Sequence, residues 1–443
     1  MTIQISEHFN FKKLFRFVLP SVFMMVVTSV YGVIDGLFVS NFVGKTPFAA
    51  INLIMPFTMI LGGMGFMIGT GGTALVTKVL GEDDREKANR YFTMLIIFAV
   101  ILGAVLTAVG IAVMRPVAIL LGASEAMLED CVLYGRIVVG FTIFFMLQNI
   151  FQSFLAAAEK PKLGLIVTLI AGCTNAALDA LFIAVFKWGI AGAAVATGIG
   201  QVLGGVIPLI YFAKKNGSLL KFTKTKLKIK PILIACGNGS SELLTNIASS
   251  VVSMLYNFQL MKFFGENGVS AYGVIMYVQL IFLALIIGYT IGSAPIVGYN
   301  YGAKNGAELK NIFKKSLIIL AVSSVLLSAL AQALAVPLAK LFVGYDAELY
   351  ELTVRAFRLY SFAFIFSGVA IYSSGFFTAL NNGLVSAILS VLRSLLFQVA
   401  FVFLLPLIFG VDGIWWAMFA TEVCATVAAI IFFIAYRKKY NYV

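Results

Sequence analysis

Long apolar stretches separated by short polar segments recur along the whole chain. A helix needs about 20 apolar residues to cross the roughly 30 Å hydrocarbon core of a bilayer. Backbone groups in lipid must be hydrogen-bonded within the protein, so these stretches are predicted to be helices. The pattern predicts twelve spans, at residues 14–40, 48–77, 91–113, 131–157, 163–186, 190–213, 232–260, 270–298, 312–336, 355–380, 384–409 and 413–436.

The composition and the placement of charge agree with a membrane protein. Hydrophobic residues make up 61% of the 443 positions and charged residues 12%, against about 45–50% and 25% in soluble domains. The net charge of +13 does not indicate nucleic acid binding, because Lys and Arg lie in short loops between the apolar stretches. Such residues set topology and contact lipid headgroups. Of the 32 Lys and Arg residues, 23 lie on one side and 8 on the other, which places both termini in the cytoplasm.

The residues that hold cofactors or perform catalysis are scarce. The only histidine, His8, precedes the first span, and the four cysteines are far apart without a CxxC pair. This excludes a histidine-based metal cluster and makes a cysteine metal site unexpected. No nucleophile with a neighbouring base is visible in the spans, so neither a cofactor nor an enzymatic activity is predicted.

The chain matches itself at an offset of 221 residues without a large gap. The shared positions include Gly44 with Gly265, Gly71 with Gly292, Gly81 with Gly302, Pro116 with Pro337, and Gly192 with Gly413. Each half holds six spans, so the halves have the same orientation and are related by a pseudo-two-fold axis along the membrane normal, with a substrate pathway between them. The predicted lobes are residues 1–213 and 231–443, joined by a cytoplasmic linker at 214–230.

Polar residues inside the first-lobe spans are the main functional candidates, since ionisable groups cost several kcal/mol at bilayer depth. Asp35, Asn175, Asp179 and Thr197 lie toward the outer ends of their spans, and Asn175 and Asp179 share a helix face. Their counterparts at the 221 offset are Tyr256, Leu396, Ala400 and Met418, so the cluster belongs to one lobe. Two carboxylates with amide and hydroxyl oxygens suit a proton or a hard cation such as Na⁺. A static hydrogen-bonded network is the alternative reading.

Further polar residues extend this set. Asn149 and Gln152 lie near the first-lobe cluster and are predicted to contact substrate or to assist coupling. In the second lobe, Glu242 and Arg393 each lie about 10 residues from the cytoplasmic end of their spans. Glu422 lies about as many residues from the outer end of its span. Arg393 is predicted to form a structural ion pair with one of these acids, and Glu242 is the alternative candidate for a substrate or proton contact.

The motifs around these residues resemble the multidrug and toxic compound extrusion (MATE) family, in particular its DinF-like and MepA-like bacterial members. The resemblance covers nearly the whole chain. It is carried by YGVIDGLFVSNFVG, by GTGGTALVTKVLGEDDREKANRYF with its repeat partner GSAPIVGYNYGAKNGAELKNIF, and by TNAALDALFI with GIAGAAVATGIGQ.

The resemblance implies an all-α, V-shaped pair of six-helix lobes in a bacterial plasma membrane. It implies antiport of amphipathic, often cationic compounds against H⁺ or Na⁺ by alternating access, with the ion held at Asp35, Asn175, Asp179 and Thr197. Partners are then small organic molecules and membrane lipids, and the chain is predicted to act as a monomer.

Three other functions fit the sequence less well than export does. A flippase for lipid-linked or polysaccharide precursors handles phosphates, and should therefore carry several deep basic residues, whereas Arg393 is the one basic residue placed deep within a predicted span. A membrane-embedded enzyme needs a catalytic constellation that is not visible. A passive channel needs no coupled titratable groups. The acidic interior therefore favours export of organic cations.

Overall fold

The structure, a computed structural model, describes residues 3–442 as a set of helices. In the first half, α1 is Phe11–Phe42, α2 is Lys45–Gly81 and α3 is Arg85–Leu120. Helix α4 has two parts, Glu125–Gly140 and Thr142–Ala157. Helix α5 runs from Pro161 to Asp179 and continues as a π-helical turn, Ala180–Val185, and α6 is Gly189–Ala213.

The second half repeats this series. Residues Ile229–Gly302 form one helical run that breaks at Gly265, which divides it into α7 (229–264) and α8 (266–302). Helix α9 is Gly306–Val343, and α10 has two parts, Ala347–Ser361 and Phe364–Ala379. Helix α11 comprises Gly383–Val391, a π-helical turn Leu392–Phe397, and Gln398–Phe409. A 3-10 turn, Gly410–Asp412, precedes α12, Gly413–Tyr440.

These helices account for the twelve predicted spans. Within the described residues, eight helices are long and apolar enough to cross a membrane, and two bent pairs qualify when each is taken as one span. Two of the eight, Ile229–Gly302 and Gly383–Tyr440, are 74 and 58 residues long, which is enough for two spans each. The all-α fold with two six-helix lobes is confirmed.

The helix ends and breaks recur at the predicted offset. Left-handed backbone occurs at Gly44 and Gly265, at Asp83 and Lys304, and at Gly189 and Gly410, and each pair is 221 residues apart. Asp84 and Asn305, another such pair, cap α3 and α9 by accepting the backbone N–H of Lys87 and Glu308. The bends of α4 and α10, 55° and 49°, lie at Phe141 and at 361–364. The repeat therefore extends from sequence to backbone conformation.

Several predicted span ends were wrong. The fourth span, predicted at 131–157, begins at Glu125 and is broken at Phe141. Helices α3 and α9 are longer than the predicted 91–113 and 312–336; at their N-terminal ends, polar turns capped by Asp84 and Asn305 carry them beyond the apolar core. Of the predicted linker 214–230, residues 214–228 are non-helical, and α7 begins at Ile229. The ends of the predicted lobes, Met1, Thr2 and Val443, lie outside the described residues.

The two lobes pack together on the face that carries residues 3–10, the linker and the end of α12, which we call the terminal face. Glycines allow backbone-to-backbone contact here, because a methyl group on Gly81 or Gly302 would collide with the carbonyl oxygen of Tyr299 or Lys78. The same holds deeper in the interface, where a methyl on Gly71 or Gly239 would meet the backbone of α7 or α2. The two lobes are therefore in contact at the terminal face through backbone atoms that are too close together to leave room for a side chain.

Residues 3–10 form an N-terminal segment that joins the two lobes. The N–H of Ile5 donates to Glu159 in the first lobe, at 2.7 Å, and the N–H of Phe9 donates to Glu308 in the second, at 2.9 Å. His8 also contacts Glu308, at 2.6 Å, and Lys315 donates to the Phe9 carbonyl at the same distance. The side chains of Ile5 and Phe9 are fully buried.

The linker is also attached rather than loose. The N–H groups of Lys221 and Thr223 donate to Asn89 and Thr93 on α3, at 2.9 and 3.0 Å. Phe222 stacks on Phe92, with ring centroids 5.2 Å apart. The linker between the lobes is therefore attached to the first lobe.

We predict that Gly302→Ala destabilises the closed terminal face. The added methyl must separate α2 from α8, and overpacking of this kind costs about 1–3 kcal/mol. Gly273→Ala, on the same helix, is the matched control, since a methyl group at that position would meet no atom within 4 Å. The unfolding temperature of the purified protein should fall for Gly302→Ala and not for Gly273→Ala. Equal unfolding temperatures for the two variants would contradict this account of the interface.

Candidate functional site

A cavity of about 120 Å³ lies inside the first lobe, away from the terminal face. Helices α1, α2, α4, α5 and α6 all contribute to its wall. The lining residues include Tyr31, Asp35, Met55, Thr58, Met59, Tyr134, Phe145, Gln148, Asn175, Thr197 and Gln201. Of these, Met55 and Met59 on α2 are 43% and 39% exposed. Among the side chains that the structure describes, no Lys or Arg lines this cavity, and Asp35 is the charged residue in its wall.

Two carboxyl groups meet at the wall of this cavity, with Asp35 in the lining and Asp179 beside Asp35. Asp35 on α1 and Asp179 at the end of the regular part of α5 are close enough for their side chains to interact. Asp179 is fully buried, and apart from Asp35 its carboxyl oxygens have no hydrogen-bond partner among the described residues. Asp179 directly precedes the π-helical turn of α5, a feature that is frequent at functional sites. Buried acids in this arrangement favour a shared proton or a bound cation.

The neighbouring polar groups supply further oxygen atoms. Asn175 lies one turn before Asp179 on α5 and is 3% exposed, and its side-chain oxygen and nitrogen have no protein partner. The hydroxyl of Thr197 on α6 is also buried without a partner. The structure therefore brings together Asp35, Asn175, Asp179 and Thr197, the four residues selected from the sequence. Carboxylate, amide and hydroxyl oxygens are ligands that hard cations accept.

Sequence reasoning missed several polar residues of the same cavity. Tyr31, Tyr134, Gln148 and Gln201 line it, and Gln148 lies 3.5 Å from the Tyr31 hydroxyl. Two of these residues could have been found from helical spacing. Gln201 follows Thr197 by one turn, and Gln148 precedes Gln152 by one turn, so each shares a helix face with a residue already selected. The tyrosines give no such signal in a chain with 17 of them.

Asn149 and Gln152 do not line this cavity. The Asn149 side chain donates to the Gly62 carbonyl on α2, at 3.1 Å, so it ties α4 to α2. Gln152 is 4% exposed and lines a separate space of about 10 Å³ between α1, α4, α5 and α6. Its position leaves it out of direct contact with the acidic pair.

Glu242 lies between the lobes rather than inside the second one. Its side chain borders a space of about 20 Å³ lined by hydroxyl groups, including Thr70 and Thr73 on α2, Ser153 on α4 and Thr378 on α10. This volume holds about one water molecule. No hydrogen bond or ion pair to the Glu242 carboxyl is formed within the described residues.

Arg393 pairs with Glu422, and not with Glu242. The Arg393 Nε lies 3.1 and 3.0 Å from the two carboxyl oxygens, and its Nη2 lies 2.6 Å from one of them. Arg393 lies on the π-helical turn of α11, and Glu422 is fully buried on α12. A two-point contact of this kind is both strong and directional.

Aromatic residues fill the second lobe where the first has its acids. Tyr256, at the position that corresponds to Asp35, stacks on Tyr272 with centroids 5.0 Å apart. The Tyr360 hydroxyl donates to Gln279, at 2.5 Å. All three tyrosines are buried. The asymmetry expected from the sequence is therefore present in the packing.

Comparison with known proteins agrees with this architecture. A family model described as MatE matches residues 20–181 and again residues 243–404, once in each lobe. The chain belongs to the MatE family. As a MatE protein it is a transporter and not an enzyme. The two matches follow the duplication that the 221-residue offset predicts.

Curated relatives and solved structures extend over nearly all of this MatE chain. The multidrug export protein MepA of Staphylococcus saprophyticus is 24% identical over 426 residues, covering 96% of this chain and 94% of the relative. MepA of Staphylococcus aureus is 23% identical, with the same coverage. A MATE structure in complex with MaL6 superposes with a TM-score of 0.91 at 21% identity, over 98% of this chain and 97% of that one. A multidrug resistance MATE transporter in its outward-facing conformation gives 0.90 at 22%, over 98% and 96%.

We predict that Arg393→Gln strongly destabilises the second lobe. Removing one partner of a buried ion pair typically costs about 3–5 kcal/mol, because the other charge is left uncompensated. The double variant Arg393→Gln, Glu422→Gln should recover much of this loss. Arg355→Gln is the matched control, since Arg355 pairs with Asp412 where its own side chain is 65% exposed, and exposed pairs contribute little. Thermal unfolding of the purified variants measures all three, and a stable Arg393→Gln protein would contradict the structural role.

Proposed function

We propose that this chain exports amphipathic, cationic organic compounds across the plasma membrane in exchange for H⁺ or Na⁺. The observation that carries the proposal is the buried pair Asp35 and Asp179, of which Asp35 lines a cavity that has no Lys or Arg among its described lining residues. Such a cavity attracts cations, and the nearby Tyr and Phe side chains offer faces to an organic one. The multidrug export activity named for the MepA relatives supports the same assignment.

Coupling follows from competition for the acidic pair. When H⁺ or Na⁺ occupies Asp35 and Asp179, the cavity loses negative charge and holds a cationic substrate less firmly. Asn175 and Thr197 complete an oxygen-rich site that accepts Na⁺ as well as a shared proton. The lobes then alternate between opening toward the outside and toward the cytoplasm, with both termini and the terminal face on the cytoplasmic side, and one chain is sufficient for this cycle.

The second lobe contributes in a different way. Glu242, at the small hydroxyl-lined space between the lobes, is a further proton or substrate contact, because its carboxyl has no protein partner that would neutralise it. Arg393 and Glu422 keep their lobe rigid. The flippase alternative is disfavoured, since Arg393, the one basic residue at this depth, is occupied by Glu422 and is not free for a phosphate.

Efflux from loaded vesicles tests the proposal and identifies the ion. Proteoliposomes that contain a fluorescent organic cation such as ethidium should release it when a proton gradient or a sodium gradient is imposed. Release under one gradient alone identifies H⁺ or Na⁺ as the coupling ion. Movement of fluorescent lipid-linked saccharides without cation efflux would instead support a flippase, and equal release without any gradient would support a channel.

We predict that Asp35→Asn and Asp179→Asn each reduce gradient-driven efflux to the level of empty liposomes. The amide keeps the shape of the side chain but cannot bind or release the ion. Asp83→Asn is the matched control, because Asp83 is exposed on a turn and its left-handed backbone conformation tolerates asparagine. All three variants should insert and purify like the unaltered protein. Coupled efflux that persists in Asp35→Asn would remove this residue from the mechanism.

A further inference from the structure

An open groove runs between the first half of α1 and the start of α5, on the side of the molecule that faces lipid. It encloses about 610 Å³ and begins at the terminal face. Three basic residues, Lys12, Arg16 and Lys162, stand at its terminal-face end, and nearly all of the remaining wall is apolar. It is separate from the acidic cavity, with which it shares no lining residue.

The three cations have no acidic partner among the described residues. Lys12 and Arg16 lie one turn apart on α1, and Lys162 lies in the first turn of α5. The acidic residues nearest to them along the chain are engaged elsewhere. Glu7 pairs with Lys13, and Glu159 accepts the N–H of Ile5. The positive end of the α5 helix dipole adds to the positive charge at this end of the groove.

The whole groove, from its basic end to its apolar end, is about as long as one leaflet of the hydrocarbon core. Phe15, Phe23 and Ile166 line it and are 53%, 49% and 52% exposed. From Lys12 to Phe23 the α1 helix rises about 16 Å, at 1.5 Å per residue. Half of the roughly 30 Å hydrocarbon core is about the same. A molecule with an anionic head and a long apolar tail therefore fits both ends of the groove at once.

We propose that this groove binds an anionic phospholipid of the leaflet at the terminal face. Its phosphate is held by Lys12, Arg16 and Lys162, and one acyl chain lies along Phe15, Phe23 and Ile166. The lipid spans α1 and α5, the two helices that carry Asp35 and Asp179. A bound lipid therefore braces the terminal-face ends of the helices whose deeper parts hold the acidic pair. This site stands independently of the transported compound and of the coupling ion.

Lipid retention by the purified full-length protein tests the site. Native mass spectrometry is used to titrate the protein with phosphatidylglycerol, phosphatidylcholine or inorganic phosphate. We expect one tightly held phosphatidylglycerol, weaker retention of phosphatidylcholine, and no effect of phosphate alone. The triple variant Lys12→Gln, Arg16→Gln, Lys162→Gln should bind phosphatidylglycerol about 100-fold more weakly, given the contribution of each basic residue near an anionic headgroup.

Matched variants separate the groove from charge in general. Lys226→Gln, Lys228→Gln, Lys230→Gln removes three exposed cations of the linker region and should leave phosphatidylglycerol binding unchanged. Ile166→Trp should block the apolar part, whereas Ile170→Trp, at a neighbouring exposed position outside the groove, should not. Unfolding temperatures in lipid-free detergent establish that the variants are folded.

Four results would overturn the proposal. Equal loss of phosphatidylglycerol binding in both triple variants would mean that only total charge matters. Unchanged binding in Ile166→Trp would mean that no acyl chain enters the groove. Equal retention of phosphatidylcholine, or displacement of the lipid by an organic cation, would identify the groove as a neutral lipid contact or a substrate entrance instead.

Discussion

The close approach of α2 to α7 and α8 is the contact on which the rest of the structure depends. Gly71, Gly81, Gly239 and Gly302 let the two lobes touch through their backbones on the terminal face. Lipid gives apolar helices no hydrophobic reason to associate, so small residues that bring backbones together supply the attraction through packing. This contact brings the lobes together at the terminal face, while the first-lobe cavity lies on the far side of it.

The two lobes share one backbone arrangement, but the polar residues in their interiors differ. The first lobe holds two facing carboxyl groups with unpartnered amide and hydroxyl groups around them. The second lobe places stacked tyrosines where the first has Asp35, and it neutralises its own deep charges through Arg393 and Glu422. The two lobes share one scaffold, and the cavity lined by Asp35 lies in the first of them.

Much of the fold was predictable because lipid permits few solutions. The number of spans follows from apolar length, and the duplication follows from glycines at one constant offset. The π-helical turns in α5 and α11 were not predictable, since neither ALFIAV nor LRSLLF differs in composition from regular helix. The bend at Phe141 was missed for the same reason. The N-terminal segment was missed because its contacts, Ile5 with Glu159 and Phe9 with Glu308, join positions that are 154 and 299 residues apart.

The candidate site shows the same division. Asp35 and Asp179 could be selected because a charge within an apolar stretch needs a reason to be there. Asn149 was selected by polarity alone, and the structure places it in a packing contact with the Gly62 carbonyl. Tyr31 and Tyr134 line the cavity but look like any other aromatic residue in a membrane helix. Which face of a helix meets a cavity depends on all its neighbours, and a single sequence does not report them.

The N-terminal segment has a mechanical consequence. Residues 3–10 are hydrogen-bonded to Glu159 in one lobe and to Glu308 in the other, so they cross the interface between the lobes. Hydrogen bonds to charged groups contribute roughly 1.5–3 kcal/mol each. Separation of the lobes at this face would therefore cost at least the free energy of one such bond. The eight residues 3–10 ahead of the first helix therefore tether the two lobes to each other.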